Sequence, residues 1–481
     1  MNGFAATIPI LIVVLSAIAA LLAEAMRHPG ERMEIAGFGL IGLVGALVAS
    51  CFLWGTDAVS FGVVRADNFA LFVNIILCIV GILTMLFSRD VVEREGLPAG
   101  EYYALTLFGI SGMMLMAAAV DLLVIFLALE VLSLSVYVLT ALRRDSAQSA
   151  EAAFKYFLLG AFSSAFFLYG IAFAFAAAGS TRLDAVAAVM VSPSDITLPL
   201  LAVGLLAVGF CFKVSAVPFH MWTPDAYEGA PTVVTAFMST AVKAAAFAAF
   251  VRVFLSTLQP MQVHWTPILG AIAAATMIAG SVLGVLQSNI KRMLAYSSIA
   301  HAGYLLLGLV SANDDGKAAV LFYLLAYAVT NLGALGIVAL LGTAERPHDQ
   351  LRDFAGLWTT RPGLAGLMTV FLLSLGGFPP MAGFIGKWYI FSAAVQSGHV
   401  WLAIIGVLTS VISVFFYLRI VVMMYMTDET GAVARPAVSW PSTIALAFAL
   451  LATFYLGVLP TQVLAYALNS ISTIRSPFGI G

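Results

Sequence analysis

Long apolar runs separated by brief polar interruptions dominate this chain, in place of single apolar and polar positions alternating. Runs of about 18 or more apolar residues are long enough to cross a bilayer as helices. About fourteen occur, near residues 4–26, 34–54, 66–88, 102–119, 121–142, 152–179, 197–217, 231–256, 265–287, 295–311, 317–342, 362–397, 401–427 and 440–459. The twelfth is long and interrupted. The runs are rich in Ala, Leu and Gly and far exceed the roughly ten-residue alternating segments of a membrane barrel, so strands are not expected. The pattern predicts an all-α polytopic membrane protein, with no connection long enough for a soluble domain.

Composition agrees with the pattern. The 481 residues are 62% hydrophobic and 10% charged, against about a quarter charged in ordinary soluble domains. A net charge of −2 gives no sign of a nucleic-acid partner. Cys51, Cys78 and Cys211 lie far apart in apolar runs and form no metal or iron–sulfur spacing, which predicts buried free thiols. The first basic residue, Arg27, follows the first apolar run, so that run is expected to be a retained helix and not a cleaved signal.

Basic residues in the loops predict an orientation. With the N-terminus outside, Arg27, Arg32, Arg89, Arg94, Arg143, Arg144, Lys291, Arg292, Arg346, Arg352, Arg361 and Arg435 fall inside. Arg65, Arg182, Lys317 and Arg475 fall outside, a bias of twelve to four. Both termini are then expected on the periplasmic side. Arg252 and Arg419 lie near span ends, where they can snorkel to the headgroups, and Lys155 is about one turn into its span. GFGLIG, residues 37–42, matches GxGxxG, but it lies inside the second apolar run and not between a strand and a helix. Close packing through small residues accounts for it.

Four ionisable groups sit deep within spans. Glu130, in LALEVLSLSVY, is nine residues past Asp121, roughly 13 Å from one face and 20 Å from the other. Lys243, in FMSTAVKAAAF, is twelve residues past Pro231. Lys213 precedes Pro218 by five residues, and Lys387 follows the glycine-flanked Pro379–Pro380. Each such group costs roughly 2.5–3.5 kcal/mol at mid-bilayer, on the order of 10–14 kcal/mol for four before any pairing. A buried Glu–Lys pair can lock helices together, often without net gain. An acid and three lysines on separate spans point instead to a proton path. Burial and a movable carboxylate act in opposite senses on a lysine's proton affinity, so a Glu130 that approaches and leaves Lys213 can make it a switch.

The prolines and glycines beside two of these lysines fit the same reading. Irregular backbone at membrane depth is tolerated only within protein or beside a water-filled cavity. Two interrupted spans, seven and twelve, each bearing a lysine, suggest two inverted five-helix repeats over spans 4–8 and 9–13. The predicted division is 1–100 (three helices), 101–256 (first repeat), 257–430 (second repeat) and 431–481 (last helix and tail). His220 and His301 are candidate relays or satisfied packed residues. Thr330 and Asn331 fit a bond to a neighbouring helix better than a hydrated path, and Tyr296 and Tyr327 read as packing.

Three motifs together, FKVSAVPFHMWTPDAYEGAPT (212–232), KRMLAYSSIAHAGYLLLGL (291–309) and GGFPPMAGFIGKWYIF (376–391), carry a family resemblance. The chain resembles the antiporter-like membrane subunits of respiratory complex I and of multisubunit cation/proton antiporters, from about residue 100 to 430. Its length without a long lateral helix, and Lys387 where the M-type branch usually has glutamate, favour the N-type branch. The resemblance implies that Glu130 pairs with Lys213, that Lys243 is the central lysine and Lys387 the terminal one. It also implies a modulating role for Lys155 and lesser relay roles for His220 and His301. It implies no cofactor or metal on this chain. FMN, iron–sulfur clusters and quinone would belong to partner subunits, reached through M-type and K/J-type neighbours in a bacterial inner membrane. A cation/proton antiporter subunit, a small-solute carrier and a non-pumping scaffold are the rival readings.

Overall fold

A computed structural model describes residues 3–26, 35–193, 195–342, 349–428 and 438–474. Arg27, Arg32, Arg346, Arg435 and Arg475, used above for orientation, lie outside the described residues, as does the predicted boundary at 430. Eleven helices among the described residues are long and apolar enough to cross a membrane. They do not include the twenty-residue Ala99–Ala118, nor the two interrupted spans, so the predicted fourteen is not reached by that measure.

The chain begins with α1 (Ile8–Met26) and α2 (Ile35–Phe52), joined to the rest by a short antiparallel hairpin, β1 (Ala58–Ser60) and β2 (Val64–Ala66). No strand was expected. The hairpin is brief because its neighbours complete it: Val120 N donates to Val63 O, and Arg182 Nη1 donates to Gly62 O. The first helices continue as α3 (Asn68–Arg94), α4 (Ala99–Ala118), α5 (Leu122–Thr140), α6 (Ala147–Ala178) and the short α7 (Leu183–Val191). Three of these starts are set by side-chain caps, since the first helical N–H groups lack intrahelical partners. Asp67 caps α3, Asp121 caps α5 and Ser146 caps α6.

Span seven breaks into α8 (Thr197–Lys213) and α9 (Trp222–Gly229), with Ser215 at a φ of 65° between them. Then come α10 (Thr232–Thr257), α11 (Gln262–Val285), α12 (Ile290–Ser311) and α13 (Asp314–Leu341). Span twelve breaks likewise, into two helices of fifteen residues, α14 (Pro362–Gly376) and α15 (Ala382–Gln396). Gly377, at a φ of 89°, takes the chain out of α14 in a conformation that disfavours a side chain. The chain ends with α16 (Val400–Met426), α17 (Trp440–Val458) and α18 (Thr461–Ile471).

Burial separates these helices into an inner and an outer set. α10, α12 and α13 are almost wholly enclosed, whereas α1 and α6 bury only about a third of their most apolar windows, 33% each. Lipid supplies no hydrophobic drive between helices, so close contact depends on small residues. A Cβ on Gly280 of α11 would lie 2.4 Å from Ala300 N of α12, and one on Gly303 would lie 2.8 Å from Met277 N. Inside the GFGLIG run, a Cβ on Gly42 would meet the Ser16 side chain at 2.0 Å. That glycine belongs to α1–α2 packing.

Two expectations fail here. Arg252 does not snorkel: 3% exposed, it donates to both carboxylate oxygens of Asp67, at 2.7 and 2.8 Å, and to Ala117 O. A buried charge needs a full set of partners, and this one ties α10 to the start of α3. Cys51 is exposed, while Cys78 and Cys211 are buried. Arg419 reaches Val285 O at the end of α11 and Gln287 O just past it, where a cation suits the helix end.

Candidate functional site

Five of the predicted ionisable groups, Glu130, Lys213, Lys243, His301 and Lys387, lie one each on α5, α8, α10, α12 and α15. On α5, Glu130 shares a face with Ser133, three residues on. Glu130 is half-buried and accepts a hydrogen bond from Ser164 Oγ of α6 at 2.5 Å. Lys213, at the end of α8 and 3% exposed, donates to Ser133 Oγ at 2.7 Å. Its ammonium also faces the rings of Tyr137 and Tyr156, 5.8 and 5.7 Å from their centroids.

The implied Glu130–Lys213 ion pair is absent among the described residues. Each group is held by a serine instead, and the Ser133 that holds Lys213 stands one turn from Glu130 on α5. A cavity of about 10 Å³ lies beside them, lined by Lys213, Ser164, Ser163, Gly160 and Tyr137. That is at the threshold for one water.

Lys243 is 2% exposed and donates to the backbone carbonyl of Ser298 on α12. It follows directly on a π-helical turn, Met238–Val242, within α10. Such turns widen a helix locally and recur at functional sites. Farther along α12, His301 bridges two tyrosines, with Nδ1 2.6 Å from the Tyr323 hydroxyl and Nε2 3.2 Å from the Tyr417 hydroxyl. The Tyr417 hydroxyl is bonded in turn to Ser297. Asn331 of α13 bonds Ser239 Oγ of α10 at 2.8 Å, the helix-to-helix bond expected of it.

Lys387 closes the series. It donates to Leu375 O and Gly376 O, each at 3.0 Å, and to Ser410 Oγ at 2.7 Å, 5.1 Å from the Tyr304 ring centroid. Those two carbonyls are left open by the end of α14. Around this centre Ser298 Oγ, Tyr304 Oη, Tyr327 Oη and Asn331 Oδ1 are buried without a protein partner. Buried polar groups rarely stay unpaired, and water is the usual remedy in such a place.

The structure sets Lys155 apart from the series. Its helix starts five residues before the predicted span, and the ammonium, exposed at one end of α6, pairs with Glu151 at 2.7 Å and Asp225 at 2.9 Å. Asp225 is held below the usual carboxylate range: burial works against this, and bonds from Lys155 and Arg292 outweigh it. His220 lies in the break between α8 and α9, with Nδ1 buried and unpartnered.

Comparison with known proteins bears on this arrangement. A family model described as the NADH:quinone oxidoreductase/Mrp antiporter transmembrane family matches residues 119–413. NADH-quinone oxidoreductase subunit N of Trichlorobacter lovleyi is 46% identical over 95% of this chain and 94% of its own. The chain belongs to the subunit N family. A chain of respiratory complex I from Thermus thermophilus with bound aureothin superimposes with a TM-score of 0.82, at 34% identity over 95% of this chain and 99% of that one. A chain of the Mrp complex from Dietzia sp. also gives 0.82, at 20% identity over 99% and 98%, which extends to the fold alone.

In this subunit N family member, several partners of the lysines went unnoticed in the sequence. Ser133 was within reach of helical spacing from Glu130, and Ser297–Ser298 stand one turn before His301. Tyr323 and Tyr417 carried no signal, because only packing brings their helices to His301.

Proposed function

We propose that this chain translocates protons through the membrane arm of NADH-quinone oxidoreductase, by a relay through Glu130, Lys213, Lys243 and Lys387. The observation that carries the reading is chemical. Lys213, Lys243 and Lys387 are each enclosed, yet each is held by hydroxyls or carbonyls, with no carboxylate in ion-pair range among the described residues. A lysine bound to neutral acceptors can release a proton without stranding a buried anion, which a permanent ion pair cannot do. His301, between two tyrosines, lies between the Lys243 and Lys387 regions and is the relay candidate of the two histidines.

The chain supplies no redox chemistry of its own in this reading. FMN, iron–sulfur clusters and quinone reside in partner subunits, and the redox energy reaches Glu130 and Lys213 through M-type and K/J-type neighbours. A charge arriving there moves Glu130 relative to Lys213, Lys213 passes a proton toward Lys243, and Lys387 releases one outward. Fourteen spans, two inverted repeats over 101–256 and 257–430, both termini on the periplasmic side and a bacterial inner membrane complete the proposal. The paired breaks at α8–α9 and α14–α15, each next to a lysine, support the repeats.

A cation/proton antiporter subunit fits less well, because the likeness to the Mrp chain is one of fold at 20% identity. The test is a purified native assembly. NADH-dependent quinone reduction with flavin and iron–sulfur signals is expected, and replacement of Glu130 or Lys213 by Ala should depress coupled pumping. An assembly without redox centres, or unchanged pumping in the variants, overturns the reading.

A further inference from the structure

The adjacent basic residues Lys291 and Arg292 were both counted as inner-loop charges. They open α12 instead, capped by Asn289, and they divide the work. Arg292 turns outward to Asp225 and Glu228, at 2.6 and 2.9 Å. Lys291 turns inward and is 1% exposed. Its ammonium donates to Glu228 O at 2.7 Å and Ala230 O at 2.6 Å, at the junction of α9 and α10. No carboxylate lies within ion-pair distance of it among the described residues. The charged groups that act on it from other elements are Arg143, Asp349, Glu95 and Glu228.

Lys291 therefore shares enclosure and neutral acceptors with the three relay lysines, and like Lys243 it stands on an almost wholly enclosed helix. It also stands on the same helix as the carbonyl that holds Lys243. Ser298 is seven residues on, about 10 Å along the axis. Tyr227 of α9 and Tyr327 of α13 both stand against Ser298. The hydroxyls of Ser298 and Tyr327 are buried with no protein partner, and a hydroxyl can donate and accept at once. Lys291, beside the ionic cluster at the start of α12, and Ser298, whose carbonyl holds Lys243, thus share one face of α12 about two turns apart.

Resting on the proton-translocation reading, we infer that Lys291 is the entry station of the path to Lys243. The Lys291 ammonium gives its proton to the hydroxyls around Ser298, and the last hydroxyl in the line gives one to the neutral Lys243 amine. Each hydroxyl that gives up its proton regains one from its predecessor. The Lys291 amine left behind takes a proton from water at the Asp225–Arg292–Glu228 cluster. Charge and protons balance, since one proton enters at the cluster and one arrives at Lys243.

The alternative is a tether, in which Lys291 merely pins α12 to the α9–α10 junction. Arginine separates the two, because it can donate to both carbonyls but cannot be deprotonated in a protein. Pumping is to be measured in membranes of the assembled complex carrying Lys291→Arg and normalised per flavin, with Lys213→Ala alongside. Entry through Lys291 predicts loss of pumping in Lys291→Arg to the level of Lys213→Ala. Pumping at the wild-type level in Lys291→Arg overturns the inference. If Lys291→Arg assembles poorly, Lys291→His is compared with Lys291→Gln on the same per-flavin basis. Greater pumping in the titratable histidine variant supports entry, and equal pumping overturns it. Wild-type pumping in Lys213→Ala as well would fault the proton-translocation reading itself, whereas its loss there with retention in Lys291→Arg faults only the entry station.

Discussion

The two interrupted spans hold their lysines in opposite ways. At the first, Lys213 ends α8 and reaches sideways to a serine and two aromatic rings, with a carboxylate nearby on α5. At the second, Lys387 lies within α15 and reaches back across the break to the open carbonyls of α14. The first lysine has one hydrogen bond to exchange and a neighbouring charge that can bias it. The second is part of how its break is satisfied. A sequence shows a lysine beside a break in both cases, but only Lys213 is free to change partners cheaply.

That contrast can be broken by experiment. Lys387→Met is expected to have the largest effect, losing pumping and also stability. Two buried carbonyls would lose a donor, at about 1–3 kcal/mol each, visible as earlier thermal unfolding of the purified complex. Lys213→Met should slow the proton step on the order of 10²-fold, yet cost only about 1 kcal/mol of stability for its single bond. Equal destabilisation by the two substitutions would erase the distinction.

Glu130→Gln comes next and sharpens the first site. The amide oxygen can still accept from Ser164, so unfolding should shift by less than about 0.5 kcal/mol, below the range for loss of one hydrogen bond. Loss of the charge should change pumping about tenfold, the scale on which a nearby carboxylate alters proton affinity. Wild-type pumping in this variant would show that the charge is not the bias. Ser164→Ala should have the smallest effect on pumping, kept within about threefold, although loss of its bond to Glu130 costs about 0.5–1.5 kcal/mol of stability. A larger loss of pumping would mean that the serine, and not the carboxylate charge, sets the site.

Much of this was legible along the chain. Glu130, Lys213, Lys243 and Lys387 stood out because charge in an apolar run is costly, and both breaks were marked by glycine and proline. Lys291 was misread as a loop charge because its sequence neighbour is Arg292 and a polar stretch precedes it. Whether a basic residue at a helix start faces water or protein is invisible to hydropathy. Arg252 was misread for the same reason, its partner Asp67 being 185 residues away.

What the sequence by itself determined is the class and the cast: a helical membrane protein, two broken spans and an ionisable series, because bilayer energetics penalises charge and open backbone wherever they occur. The partners were decided only by tertiary structure. Serines hold Glu130 and Lys213 apart, tyrosines flank His301, and Lys291 joins the buried set through packing of α9, α10 and α12. Hydrogen bonds at 2.5–3.2 Å depend on which helix faces meet, and one sequence read as a line carries no such distances.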